Sequence, residues 1–172
     1  MKILHVIPYA SPIYGGPTVV AAQMATVLSA HGITIDVATT TAHGRKELDV
    51  PVDQPVLRDH ARYFYFPRQG PKFWMFSWPL RQWLYQHVPD YDLVHVHGLF
   101  AYTTLPACAA AQRFGKPYVI TPHGVLDPWC LSHKWWKKRP YYHLWTRRNL
   151  QRASAVHATS SFEAAEIGRA HV

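Results

Sequence analysis

The sequence has little cysteine and no long apolar run. Its 172 residues contain two cysteines, Cys108 and Cys130, which provide neither a disulfide framework nor a Cys-x-x-Cys metal site. Such sparse cysteine is typical of a reducing compartment, so we expect a cytoplasmic protein. No stretch approaches the roughly 20 apolar residues that a membrane-spanning helix needs. His5 and Pro8 interrupt the early apolar run, so no signal peptide is expected either.

Acidic residues are also scarce, and the formal net charge is +8 at pH 7. No Asp or Glu occurs between Pro128 and Phe162. The basic and tryptophan residues of this segment are Lys134, Lys137, Lys138, Arg139, Arg147, Arg148, Arg152, Trp129, Trp135, Trp136 and Trp145. Such a surface suits an anionic partner: a membrane face, a phosphorylated ligand or nucleic acid. The alternative is a solvated helix whose long side chains cover apolar surface.

Several well-known motifs are missing. The chain has no G-x-G-x-x-G, no Walker A loop and no G-x-S-x-G nucleophile elbow. Asp36 falls inside a predicted strand rather than at its end, which disfavours a nicotinamide-dependent oxidoreductase. No recognised nucleic-acid-binding motif occurs, so nucleic acid is not the expected partner.

The sequence does contain a regular alternation of short apolar segments and helical patterns. The predicted strands cover residues 2–7, 33–39, 62–66, 92–98, 116–121 and 153–159. The first predicted helix has Pro17 in its first turn and ends at Gly32, with Val20, Met24, Val27 and Leu28 on one face. Residues 40–61 read as a long surface connection with room for a short hairpin. Because most strands are continuous apolar runs, we predict an α/β fold: a Rossmann-like, doubly wound parallel sheet.

The unusual residues follow the predicted strands. Ligands of doubly wound sheets bind at the carboxyl ends of the strands, and four loops should meet there. They carry Gly15-Gly16, His97-Gly98, His123-Gly124 and Thr159-Ser160. The first pair lies between a strand end and a helix start, where free amides and the helix dipole favour an anion such as phosphate. The alternative is that these glycines only form a tight turn.

Three histidines are candidates for chemistry. His95 and His97 point to the same side of one strand, and with His123 they could bind a metal ion. The favoured alternative places His95 within the sheet and leaves His97 as a polar contact. His123 could donate a hydrogen bond to a substrate hydroxyl or act as acid or base, or it could be buried and satisfied. Asp127 could act on an acceptor hydroxyl or cap the turn before Pro128.

Together these segments resemble the N-terminal domain of family-4 glycosyltransferases, the "group 1" enzymes of the GT-B class that assemble bacterial polysaccharides and glycolipids. The resemblance rests on the order of four segments: the strand–Gly-Gly–helix opening, residues 92–98 (DLVHVHG), residues 121–129 (TPHGVLDPW) and residues 153–160 (ASAVHATS). It covers nearly all 172 residues.

A Ser160-x-x-Glu163 capping box is expected to open a last helix, which reaches Val172 without a stop signal, so the chain is expected to be part of a larger protein. The resemblance implies that residues 1–172 are one half of a two-domain GT-B fold. The nucleotide-sugar domain, with its E-x7-E signature, would be absent from this chain. By resemblance, Gly15 and Gly16 would contact the donor diphosphate and His123 the donor sugar. The residues implied on the acceptor side are Tyr14, His97, Gly98, Asp127 and Trp129. Lys134, Lys137, Lys138 and Arg139 would face an anionic membrane and its lipid-linked acceptor.

The implied activity is retaining transfer of a sugar from a nucleotide-sugar to a saccharide or lipid-linked acceptor. It needs no metal and no cofactor, and would take place in the cytoplasm or at the inner face of the membrane. The fragment alone is expected to be inactive. The main alternative is a non-catalytic binding module for anionic lipid or polysaccharide.

Overall fold

A seven-stranded sheet with helices on both faces forms the centre of the molecule. The computed structural model describes residues 1–52, 54–125 and 139–170. The strands of this sheet are β1 Lys2–Val6, β2 Thr34–Thr40, β5 Val56–Arg58, β6 Ala61–Phe66, β7 Leu93–His97, β8 Tyr118–Thr121 and β9 Ala155–Val156. Two further strands, β3 Ala42–His43 and β4 Lys46–Glu47, form a separate pair. The helices are α1 Gly16–Ala30, α2 Trp78–His87, α3 Thr104–Arg113, α4 Arg147–Arg152 and α5 Ser161–Ala170.

The strand order is β5-β6-β2-β1-β7-β8-β9. All neighbours pair in parallel except β5, which runs antiparallel to β6 at one edge. Order reverses at β1, which lies between β2 and β7, and this reversal is the switch point at which doubly wound sheets bind ligands. The predicted Rossmann-like parallel sheet is therefore confirmed.

The two faces of the sheet bury separate cores. On one face, Ala21 and Ala25 of α1 pack with Ile7 and Val37. On the other, Leu80, Ala107 and Leu150 bring α2, α3 and α4 onto the sheet, and these helices form the larger core. Both faces are covered, which explains why the central strands read as continuous apolar runs.

Helix α1 contacts the sheet through a face that only partly overlaps the predicted one, with Leu28 of the predicted face packed against the core. Thr18, Ala21 and Ala25 are its buried residues, whereas Val27 is 56% exposed. Small side chains let the helix backbone lie close to the strands, so the larger apolar residues are displaced to its flanks. The periodicity of the large apolar residues therefore predicted a stripe that lies toward the side of the contact face.

Several element boundaries also differ from prediction. The long connection contains the antiparallel pair β3–β4, as the predicted hairpin allowed, and it adds the edge strand β5. The last strand, Ala155–Val156, is shorter than the expected 153–159, although the flanking amides of Ser154 and His157 also donate to β8 carbonyls. The described part of the helical segment before it, from residue 139 onward, contains a π-helical turn, Tyr142–Thr146, ahead of α4.

Asp36 anchors a polar network within the sheet. Its carboxylate is fully buried and accepts two hydrogen bonds from Arg62, at 2.7 and 2.6 Å, and one from the Tyr91 hydroxyl at 2.7 Å. Asp36 pairs in register with Leu4 of β1 and with Arg62, the second residue of β6. It therefore lies away from the carboxyl ends of the strands. Asp36 therefore has a structural role, in agreement with the sequence argument against a nicotinamide-dependent oxidoreductase.

Candidate functional site

A cavity of about 100 Å³ opens at the carboxyl ends of the central strands. Three strand ends and the first turn of α1 contribute its walls, which are Ile7, Pro8, Tyr9, Pro17, His97, Gly98, Pro122, His123 and Val125. The structure thus brings together His97, Gly98 and His123, which the sequence had placed on separate loops. Gly98 has φ +86°, a backbone conformation that favours glycine, and its amide donates to the Thr121 carbonyl at 2.8 Å.

Glu163 ties the fourth loop to this site. Its carboxylate accepts hydrogen bonds from the backbone amides of Gly124 and Thr159 and from the Thr159 hydroxyl. Ser160 accepts from the Glu163 amide, which confirms the predicted cap of α5. Burial alone would raise the pKa of Glu163, but these hydrogen bonds hold it below its usual value. The sequence marked Glu163 only as a capping residue, and its contact with the turn after β8 could not be read from spacing.

His123 lies in a backbone conformation that is rare for residues other than glycine. Its φ is +60°, and Gly124 follows with φ +75°. Side chains in this region are strained, and such residues cluster where a site fixes them. The anchor that Glu163 provides on Gly124 holds this turn, so the His123 ring is presented at the cavity wall.

Three histidine rings form a continuous hydrogen-bonded line, which we call the imidazole relay (His5, His97 and His123). Nδ1 of His97 lies 3.0 Å from Nε2 of His123, and Nε2 of His97 lies 3.1 Å from Nδ1 of His5. The ring centroids are 5.2 and 5.1 Å apart with interplanar angles of 18° and 29°, so the rings lie side by side, as N–H···N bonding requires.

Burial keeps the relay neutral. It lowers the pKa of His5 to about 4 and that of His97 well below its ordinary value, with the charges of neighbouring histidines adding to the effect on His97. Burial also lowers the pKa of His123, against the opposing pull of Glu163. All three rings are therefore neutral at pH 7.

His95 belongs to a second, parallel line. Its Nε2 lies 2.7 Å from the Thr121 hydroxyl, which lies 3.1 Å from Nδ1 of His157. The His95 ring stacks on His97 with centroids 4.3 Å apart. His95 thus packs within the sheet, as the favoured interpretation had it.

The metal hypothesis needs a different set of residues from the one the sequence suggested. Among the described residues, His5, His95 and His97 are the group whose ligand atoms lie within 4.8 Å of one another. However, the facing nitrogens of His5 and His97 already bond to each other. A cation would have to break that bond.

The Gly15-Gly16 turn is exposed and open. The Gly15 amide donates to the Pro12 carbonyl, whereas the Gly16 amide has no partner among the described residues. A Cβ at either glycine would meet nothing within 4 Å. The free Gly16 amide and the positive end of the 15-residue helix α1 therefore face open space beside Pro17, where an anion could bind.

Tyr14 lies just outside the cavity. Its ring stacks on Tyr9, with centroids 4.0 Å apart, and its hydroxyl accepts from the Gly44 amide at 2.9 Å. Five of the other predicted site residues lie outside the described residues: Asp127, Trp129, Lys134, Lys137 and Lys138. Arg139, the remaining member of that group, is exposed at the start of the last helical segment before β9.

A larger groove of about 650 Å³ lies between α2, α3, the π-helical turn and α4. Three arginines line it, Arg81, Arg113 and Arg148, and no carboxylate of the described residues does. Leu144 and Trp145, at its edge, are 62% and 46% exposed. The basic segment seen in the sequence thus continues onto a folded, partly aromatic surface.

The family of this chain follows from comparison with models of known protein families. The family model described as Glycosyltransferase Family 4 matches residues 14–172, which is most of the chain. The chain belongs to Glycosyltransferase Family 4. No curated protein matches it. The resemblance inferred from the four sequence segments is therefore confirmed.

Solved structures share the fold at low sequence identity. HepE from Anabaena, in complex with UDP and glucose, is 20% identical with a TM-score of 0.66, over 99% of this chain and 41% of that one. MurG from Acinetobacter baumannii is 14% identical, with a TM-score of 0.57, over 93% and 42%. MnaA from S. aureus, solved with UDP, is 16% identical, with a TM-score of 0.55, over 98% and 40%. The chain corresponds to one Rossmann-like half of a GT-B fold and spans about two fifths of each of these proteins.

No helix within the described residues is long and apolar enough to cross a bilayer.

His5 was not singled out in the sequence, because a histidine in a first strand carries no motif. The pairing of β1 with β7 puts His5 in register with His95, two residues before His97 on the same strand. Strand order, which sequence spacing does not give, was the missing information.

Proposed function

We propose that this chain is the acceptor-binding half of a retaining, metal-independent glycosyltransferase. The enzyme would transfer sugar from a nucleotide-diphosphate sugar to a saccharide or lipid-linked acceptor in polysaccharide or glycolipid assembly. The observation that carries the proposal is the cavity in which His97, Gly98 and His123 meet beside the open N-terminus of α1. Of the proteins with this fold, HepE has been solved with UDP-glucose.

The size of the cavity supports a divided site. At about 100 Å³ it is smaller than the roughly 300–1,000 Å³ typical of small-molecule pockets. A nucleotide-sugar would extend from it across the exposed Gly15-Gly16 turn. We propose that a second domain, outside these 172 residues, holds the nucleotide.

The chemistry follows from the polar groups that face this space. Charge develops on the diphosphate as the bond to the anomeric carbon breaks, and the Gly16 amide and the dipole of α1 would stabilise it. His123, neutral at pH 7, would hydrogen-bond a sugar hydroxyl rather than act as a cation. This arrangement provides electrostatic stabilisation by the chain itself, without a metal ion.

The experiment is a transfer assay with the enzyme that contains this chain and its second domain. A panel of nucleotide-sugars is offered with membrane extract as acceptor, with and without EDTA, and the anomeric configuration of the product is read by NMR. We expect retention and a rate that EDTA leaves unchanged. An inverted product or loss of activity in EDTA would contradict the mechanism. Turnover by the isolated 172 residues would contradict the assignment to one half of the site.

A second candidate function, a non-catalytic module for anionic lipid or polysaccharide, is favoured by the arginine-lined groove. Lipid phosphates attract clustered Arg side chains, and exposed Trp suits the membrane interface. The same surface would bring the transferase to a membrane. Vesicle binding without any sugar transfer would support the module. Binding to phosphatidylglycerol vesicles should fall in Arg148→Glu and remain in His123→Ala, whereas equal binding by both variants would exclude this groove.

A further inference from the structure

The imidazole relay imposes a constraint on the site. A neutral imidazole has one N–H donor and one bare acceptor nitrogen. His97 uses both ring nitrogens, one toward His123 and the other toward His5. Two arrangements are therefore possible, with every N–H pointing toward His5 or every N–H pointing toward His123. The protonated nitrogen of His123 is set by its buried neighbours.

The buried end of the relay selects between these arrangements. Nε2 of His5 is fully buried and has no hydrogen-bond partner among the described residues. Among buried backbone groups, orphaned N–H donors are rarer than under-satisfied acceptors, and we infer the same preference for this ring. The arrangement that leaves Nε2 of His5 bare has Nδ1–H of His5 donating to His97, and Nδ1–H of His97 donating to Nε2 of His123. The proton of His123 is then on Nδ1, its nitrogen outside the relay.

We propose that His97, backed by His5, is a positioning residue that fixes His123 as a hydrogen-bond donor at Nδ1, toward a hydroxyl oxygen of the sugar in the cavity. The choice of sugar as ligand rests on the proposed function, whereas the tautomer does not. A fixed donor discriminates in favour of a ligand with an acceptor oxygen at that point. Without His97, the His123 ring could protonate either nitrogen and turn about its side-chain bonds.

The first test is the tautomer itself, read from the ¹⁵N shifts of the imidazole nitrogens in this 172-residue chain. We expect Nδ1–H for His5, His97 and His123 at pH 7, with exposed His60 as the reference for an unconstrained ring. A proton on Nε2 of His97 or His123 overturns the proposal, and this result needs no variant to fold. A spectrum that changes on adding EDTA would also overturn it, because the relay nitrogens would then be metal ligands.

The variant test separates positioning from packing. His97→Phe removes both relay nitrogens while filling the space, and we expect the His123 shifts to move to those of His60. His95→Phe is the matched control, since His95 is buried on the same strand but lies outside the relay. It should leave the His123 tautomer unchanged. A His123 tautomer that is unaltered in His97→Phe, or lost equally in both variants, contradicts the proposal.

The complete enzyme tests the consequence. If His97 acts only through His123, His97→Phe should lower kcat, and the double variant with His123→Ala should be no slower than His123→Ala alone. Additive losses would contradict action through His123. If wild type transfers no sugar while the Nδ1–H tautomers are present, the proposed function fails and the tautomer assignment stands.

Discussion

Buried histidines link single residues to stability. The pKa of His5 falls from 6.5 to about 4 and that of His95 to about 2 because both rings are desolvated, with neighbouring histidine charges adding to the shift of His95. In the unfolded chain these rings take up protons near pH 6.5, whereas in the folded chain they remain neutral. The unfolded state therefore binds more protons as the pH falls below 6.5, and the free energy of unfolding decreases.

We predict that the protein has its full stability above pH 6.5 and loses it progressively toward pH 4. His5 alone accounts for about 3 kcal/mol of this loss. Urea unfolding at pH 7.5 and pH 5.0 measures this change in the free energy of unfolding. In His5→Leu the difference between the two pH values should be smaller than in wild type. A free energy of unfolding that is the same at both pH values would contradict the buried, neutral assignment.

The sequence predicted individual site residues unevenly. His97 and His123 stood out because each directly precedes a glycine at a strand end, and the structure places both at the cavity. His5 and Glu163 were missed as parts of the site, because their roles depend on strands and turns that are distant in sequence. A buried histidine gives a signal only when its partners on neighbouring strands are known.

At the scale of elements, the start of α1 places two adjacent glycines in different backbone conformations. Gly15 has φ +70° and ψ −132°, a conformation that side chains rarely adopt, whereas Gly16 is the first helical residue, without a positive φ. Neither Cβ would clash, since nothing lies within 4 Å. The difference between the two positions is therefore one of backbone conformation alone.

We predict that Gly15→Ala lowers the free energy of unfolding by about 1–3 kcal/mol, the cost of holding a side chain in this sparsely populated backbone region. Gly16→Ala is the matched control and should change stability by less than about 1 kcal/mol, since Ala suits a helix better than Gly. Urea unfolding of the two variants is the measurement. Equal losses would show that the turn does not have the described backbone.

The helix and strand boundaries show where the sequence pattern was sufficient to predict an element and where it was not. Helix α2 begins where Ser77 and Pro79 favour a helix start, and the Ser77 hydroxyl accepts a hydrogen bond from the Leu80 amide. For α1, the apolar pattern identified Leu28, which packs against the core, but missed the buried Ala21 and Ala25. The extent of β9 was overestimated because an edge strand is limited by its neighbour as well as by its own sequence.

At the scale of the whole molecule, the alternation of strands and helices predicted the fold class, and the fold class predicted that the site lies at the carboxyl ends of the strands. Strand order came only from the structure. It shows that β1, β7 and β8 are neighbours and that three of the four expected loops enclose one cavity. The fourth loop joins through Glu163 rather than through the cavity wall.

The most direct test of the central claim, that sugar transfer occurs at this cavity, is the turnover of His123→Ala in the complete enzyme. His60→Ala, an exposed histidine far along the chain from the site loops, is the matched control. Leaving a substrate hydroxyl without its hydrogen-bond partner costs about 1–3 kcal/mol, which is about 5- to 150-fold in rate. We therefore predict a loss of about 10-fold or more in kcat for His123→Ala, with His60→Ala unchanged. Wild-type turnover in His123→Ala would contradict the account and place the chemistry elsewhere.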